Sequence, residues 1–233
     1  MTRRTGSFWR QGRRRWLAVV LGMAALPAAA TPVTVLVADA AGPLADAVVS
    51  LQPTAPARPP APASATATMD QVNSQFVPAV LAVQAGSWVR FPNSDQIRHQ
   101  VYSFSPAKRF ELPLYQGSTA KPVRFEQAGL VTVGCNIHDW MVGYVVVLDT
   151  PYFAVTGADA QVRLEVPPGA YELRVWHPRL SGAGYAQPLQ VARAPLRQAV
   201  QLATHGPAPV VPEDPRIRAL QDKFRGSQTA PTR

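Results

Sequence analysis

From Val33 to Leu202 the chain is cut into short runs of β-branched and aromatic residues with turn residues between them, and none of it keeps a helical period. The runs are Val33–Val37, Ala47–Leu51, Ala79–Val83, Trp88–Phe91, Gln100–Phe104, Pro122–Phe125, Leu130–Val133, Tyr144–Leu148, Gln161–Val166 and Tyr171–Trp176, with Gln187–Val191 and Gln198–Leu202 as further candidates. Strands at this spacing predict an all-β fold of the sandwich or barrel kind. In Gln161–Val166 and Tyr171–Trp176 apolar and charged residues alternate around Pro167-Pro168-Gly169, which predicts a half-buried antiparallel hairpin. Pro53 to Thr68 is a Pro/Ala/Thr tract without periodicity and reads as an extended linker. The Pro-rich end from Thr204 to Arg233 reads as a loosely held tail with one short helix over 215–224.

Residues 1–30 read as a leader. Six arginines precede the apolar run Trp16–Leu26, and Ala28-Ala29-Ala30 offers a small-residue cleavage site, the plan of a secretory signal peptide. The alternative is an uncleaved membrane anchor, against which the run is short of the ~20 apolar residues a span needs. Beyond the leader no segment reads as an integral membrane span. Export changes the charge argument. Six of the 23 basic residues lie in the leader, leaving 17 against 14 acidic residues, a net +3. No basic cluster remains to bind nucleic acid. An exported chain with a single cysteine has no internal disulfide to make, so Cys135 is either a metal ligand or an inert buried thiol.

The surroundings of Cys135 favour the ligand. Cys135-Asn136-Ile137-His138-Asp139-Trp140-Met141 places a thiolate, an imidazole and a thioether on one short loop. One further imidazole completes a His₂Cys set with a weak axial Met, the donor set of blue-copper electron-transfer centres. His99 is the candidate. It follows the strand-and-turn segment Phe91-Pro92-Asn93-Ser94-Asp95-Gln96-Ile97-Arg98 and stands 36 residues before Cys135, enough chain to cross a sandwich and return. His177 and His205 have no partner motif, and His177 reads as an ordinary surface histidine. The expected metal ligands are therefore His99, Cys135, His138 and Met141, around one type 1 copper ion.

These segments resemble a known family. Val89-Arg90-Phe91-Pro92-Asn93-Ser94-Asp95 with His99-Gln100-Val101 is similar to the first-ligand region of cupredoxins, and Val123 to Val147 to their last two strands and ligand loop. The short Cys-x₂-His-x₂-Met loop most resembles amicyanin and pseudoazurin. Met69-Asp70-Gln71 through Phe110 also resembles the plastocyanin-like proteins grouped under methylamine utilization. The resemblance implies a Greek-key β-sandwich over 69–150. It also implies supporting roles around the metal for Asn93, Gln100 and Asn136, and a docking patch bordered by Ile137 and Trp140, although plain packing accounts for Trp140 equally well. The family commonly has Asn where this chain has Gln100, which puts the tie between the two ligand loops in question. Val35–Leu51 and Thr156–Tyr171 resemble the opening hairpin and later strands of carboxypeptidase-regulatory-like β-sandwiches. The implied organisation is a small discontinuous sandwich, 31–52 with 151–203, interrupted by linker 53–68 and the copper domain; two unrelated β segments are the alternative.

With no acid–base pair or activated nucleophile in the pattern, the chain is expected to carry single electrons in the periplasm and not to be an enzyme. Its expected partners are a c-type cytochrome or a periplasmic dehydrogenase. The alternative is a copper-binding or interaction protein in which copper is stored or structural.

Overall fold

The computed structural model describes residues 30–55, 66–118, 121–180 and 184–206. All regular structure among them is strand: β1 (Thr31–Asp39), β2 (Gly42–Pro43), β3 (Val48–Pro53), β4 (Thr66–Thr68), β5 (Asp70–Val72), β6 (Gln75–Val77), β7 (Val80–Gln84), β8 (Ser87–Arg90) and β9 (His99–Ser103). These are followed by β10 (Phe110–Tyr115), β11 (Val123–Phe125), β12 (Gly129–Cys135), β13 (His138–Leu148), β14 (Phe153–Val155), β15 (Gln161–Val166), β16 (Gly169–Trp176), β17 (Tyr185–Val191) and β18 (Leu196–Gln201). The expected leader, most of the linker and the tail beyond Gly206, including the short helix over 215–224, lie outside the described residues. Among the described residues no helix is long and apolar enough to cross a membrane.

The strands at the two ends of the chain build one sandwich. β1 lies between β15 and β18, with β2 on its end, while the second sheet runs β14-β3-β16-β17. Alternation decides the faces: Val33, Val35 and Val37 of β1 point inward against Val49 and Leu51 of β3 and Leu173 and Val175 of β16. Each such side chain contributes roughly 1.5–3 kcal/mol by leaving water, so a one-residue register slip would forfeit the whole face.

The structure corrects one pairing. β15 and β16 do not form a hairpin: β15 pairs with β1, and β16 with β3 and β17. The period-2 alternation holds in both strands, but Val162, Leu164 and Val166 face Tyr171, Leu173 and Val175 across the core instead of lying beside them. Pro167-Pro168-Gly169 is the arch between sheets, closed by Tyr171 Oη donating to the Pro167 carbonyl at 2.8 Å.

The middle of the chain builds the second sandwich. A five-stranded sheet, β10-β9-β12-β13-β7, faces the three-stranded β11-β8-β4, with the β5–β6 hairpin beside them. Val89, Phe91 and Phe125 meet Val101, Val131, Val133, Val145 and Val147 in its core. The tract expected as linker is partly structured: Pro53 ends β3, and Thr66–Thr68 adds a strand parallel to Trp88–Arg90, where two β-branched threonines suit the pleat. The start of the tail is also held, since Thr204 Oγ1 donates to Asp39 Oδ2 at 2.8 Å. The two sandwiches touch through Val48, Val80 and Val146, with Tyr144 against Trp176 at 5.4 Å between ring centroids.

Candidate metal centre

Three adjacent strands set the site. β9 begins at His99, β12 ends at Cys135, and β13 begins at His138; these strands are neighbours in the order β9-β12-β13. Asn136 and Ile137 make the turn between β12 and β13, and a register shift after Gly134 leaves Cys135 paired with His138. The hairpin thus turns the thiol and the ring toward the end of the sandwich where β9 delivers His99. Gly134 admits the Tyr102 ring over this end: a Cβ there would sit 3.1 Å from it.

The donor atoms converge. Nδ1 of His99 lies 3.2 Å from Nδ1 of His138, and Cys135 Sγ lies 3.9 Å and 3.7 Å from those two atoms. His99, Cys135 and His138 form a group of potential metal donors within 4.8 Å of one another. Metal–N bonds of ~2.0 Å and a metal–S bond of ~2.3 Å, opened to roughly 120°, place donors ~3.5–3.8 Å apart. The observed spacing fits one ion. Met141 is buried in the same core as Cys135.

The second nitrogen of His99 is occupied. Nε2 lies 2.7 Å from Asp95 Oδ2. Asp95 in turn accepts the main-chain N–H of Asn73 on Oδ1 at 2.6 Å and that of Ser74 on Oδ2 at 2.8 Å. Asn93 braces the same loop, its Nδ2 donating to the carbonyls of Ile97 and Tyr115, each at 2.8 Å, while its Oδ1 accepts the Asp95 N–H at 3.0 Å. Asn93 therefore braces the loop that leads to His99. Asp95, to which the sequence reading gave no role, has its carboxylate directly on His99. Its position four residues before His99 was the available signal.

Charge is separated within this cluster. Burial alone would drive His99 toward its neutral form, but Asp95 and the Cys135 sulfur on its two nitrogens raise its pKa to about 9. Burial likewise opposes a thiolate at Cys135. The His99 ring, the main-chain N–H groups of Gln100 and Ile137, and the His138 ring outweigh it and lower the pKa to about 6. Without a metal, the two shifts both act toward a negative sulfur on Cys135 beside a positive ring on His99.

Gln100 acts differently from expectation. Its side chain donates to Glu111 Oε1 at 2.6 Å, away from the ligand loop, and only its main-chain N–H serves the thiolate. Asn136 is an exposed turn residue. Ile137 and Trp140 are 50% and 37% exposed, and the Trp140 ring stands 5.2 Å from that of His138. They form an apolar rim on the side where His138 approaches the surface.

His177 is buried, which corrects its reading as a surface residue. Its Nδ1 accepts the Arg179 N–H at 3.1 Å, shaping the turn after β16, and burial lowers its pKa. The sequence showed a histidine at a strand end but not the turn that folds over it. His177→Ala should therefore leave metal binding intact and cost about 1–3 kcal/mol of stability through the unpaired N–H. Metal titration and thermal melting of one sample check both halves.

No family model and no curated protein matches the chain. Among solved structures, a copper-containing nitrite reductase from Thermus scotoductus SA-01 aligns at 24% identity and TM-score 0.33, over 42% of this chain and 25% of that one. The chain thus spans a quarter of that enzyme's length. A novel purple cupredoxin from Nitrosopumilus maritimus aligns at 24% identity and TM-score 0.32, over 36% of this chain and 99% of the other. An amicyanin variant in its reduced state aligns at 22% identity and TM-score 0.33, over 43% of this chain and 98% of the other.

Proposed function

We propose that this chain is an exported type 1 copper protein that passes single electrons between periplasmic redox partners, a c-type cytochrome or a periplasmic dehydrogenase. The observation that carries the reading is the His99–Cys135–His138 donor set at the spacing of one metal ion, with Met141 buried in the same core. A thiolate with two imidazoles and a thioether suits copper in both oxidation states. Bound copper supplies reversible one-electron chemistry.

The chain's own residues hold the ion, orient it and exclude water. Cys135 and His99 sit on strand ends within the core, so they are fixed before the metal arrives. Asp95 keeps the His99 Nε2 proton engaged and leaves Nδ1 to face the metal. Ile137 and Trp140 give a partner a small apolar landing beside His138, which suits a transient encounter. Export is supported by the leader pattern and by a lone thiol with an assigned partner in a compartment where free thiols oxidise. The division into a discontinuous sandwich, 31–52 with 151–203, around a copper domain, 69–150, belongs to the same proposal.

One observation favours weighing an enzyme. Cys135, His99 and Asp95 line up as a nucleophile, a base and an orienting carboxylate would. Cys135 is only 3% exposed, however, and two imidazoles close on its sulfur, so a substrate carbonyl has no approach. The flanking sandwich keeps a copper-storage or interaction role as the second reading. Mixing the reduced, copper-loaded protein with an oxidised c-type cytochrome separates the two: electron carriage predicts rapid one-electron exchange. A protein that holds copper and exchanges no electrons supports storage instead.

A further inference from the structure

Asp95 lies in the segment before His99 without being one of the expected donors, and its carboxylate is tightly held. Its side chain is 12% exposed, and it meets a His99 side chain with no exposure at all. Both its oxygens accept main-chain N–H groups from the turn between β5 and β6. The two donors, Asn73 and Ser74, each hold a positive φ of 53°. Such a turn aims successive N–H groups into one concave face. Asn93 fixes the other side of the loop through the Asp95 N–H. The carboxylate is therefore held from two directions and has one remaining strong partner, His99 Nε2 at 2.7 Å.

We infer that Asp95 is a positioning residue for the copper centre: clamped by the Asn73–Ser74 turn, it fixes the ring plane and Nε2–H tautomer of His99 and places one negative charge behind that ligand. The inference rests on the copper reading above and adds to it a residue outside the donor set. A carboxylate bound to the far nitrogen of a ligating imidazole raises ligand basicity and orients the ring. The added charge favours Cu(II) over Cu(I). The β5–β6 hairpin thereby becomes part of the metal site, although none of its side chains reaches the donor atoms.

Two variants separate orientation from charge. Asp95→Asn keeps a carbonyl acceptor for Nε2–H and removes the charge; Asp95→Ala removes both. In metal-free protein, the His99 Nε2 proton observed by nitrogen-resolved NMR should exchange with solvent about tenfold faster or more in Asp95→Ala, and stay close to wild type in Asp95→Asn. In copper-loaded protein, both variants should weaken the Cu(II)-over-Cu(I) preference. A tenfold loss reads as a rise of about 59 mV in the one-electron potential. Asp95→Ala should in addition broaden the EPR signal of Cu(II) as the ring loses its single orientation. Wild-type proton exchange and potential in a copper-loaded Asp95→Ala protein would overturn the inference. A wild-type chain that takes up no copper overturns the copper reading, and the exchange arm on metal-free protein then decides the clamp alone: unchanged protection in Asp95→Ala sinks it.

Discussion

Replacing Cys135 by Ala should abolish the visible absorption of the oxidised, copper-loaded protein and weaken copper binding by well over a hundredfold. The thiolate is the one donor whose charge-transfer band gives such a centre its colour, and its sulfur lies within 3.9 Å of both imidazole Nδ1 atoms. Residues behind the ligands already cost roughly 10–100-fold in affinity when removed, and losing a charged ligand exceeds that. The buried methyl left in its place also breaks the Cys135–His99 contact, so the pKa of His99 in the metal-free variant should fall from about 9 while the larger support from Asp95 remains. His205→Ala, an exposed histidine outside the cluster, is the matched control and should keep both colour and affinity. A Cys135→Ala protein that stays coloured would mean that the sulfur is not a ligand.

The second large effect is read without any metal. With its pKa near 6, Cys135 should show its ultraviolet thiolate absorbance rising through about pH 6, against 9.0 for an unperturbed thiol. At pH 7.5 the Cys135 thiol should therefore be mostly thiolate, where an unperturbed thiol is mostly protonated. The sign of the stability effect follows. Cys135 has a depressed folded pKa, so its contribution is lost as pH falls through about 6. His99 has a raised folded pKa, so its contribution is lost as pH rises through about 9. Since the Cys135 contribution grows up to the ordinary thiol value of 9.0 while that of His99 fades from 6.5 to about 9, the two trends offset and stability should be nearly flat across that interval. His99→Ala should return the thiol titration toward its ordinary range. A wild-type thiol that titrates near 9 would contradict the ion pair.

Much of the architecture was legible because half-buried strands declare themselves by period 2. Val33, Val35 and Val37, or Val131 and Val133, reach the core with no ambiguity about face. What failed were matters that pattern does not encode. β10 escaped because Pro113 interrupts its run, and a proline of this kind is tolerated where it sits, on the edge of a sheet next to a register shift between Leu112 and Tyr115. The β15–β16 hairpin was wrong because adjacent alternating runs look the same whether they pair side by side or face each other. Within the cluster, Cys135 and His138 were visible from their spacing on one loop, and His99 from the strand-and-turn segment before it. Asp95 was not, because its role depends on the turn at Asn73 and Ser74, more than twenty residues earlier. Gln100 shows the reverse case: a side chain judged by its type proved to matter through its main-chain N–H.

The proposed function stands or falls on one copper ion held by a thiolate and two imidazoles in a strand-fixed site. The most direct measurement is the combined visible and EPR spectrum of the purified protein after one equivalent of copper and full oxidation. The expected result is an intense thiolate-to-Cu(II) band in the visible with an EPR signal integrating to one copper per chain. A fully oxidised, copper-loaded sample that remains colourless would contradict it.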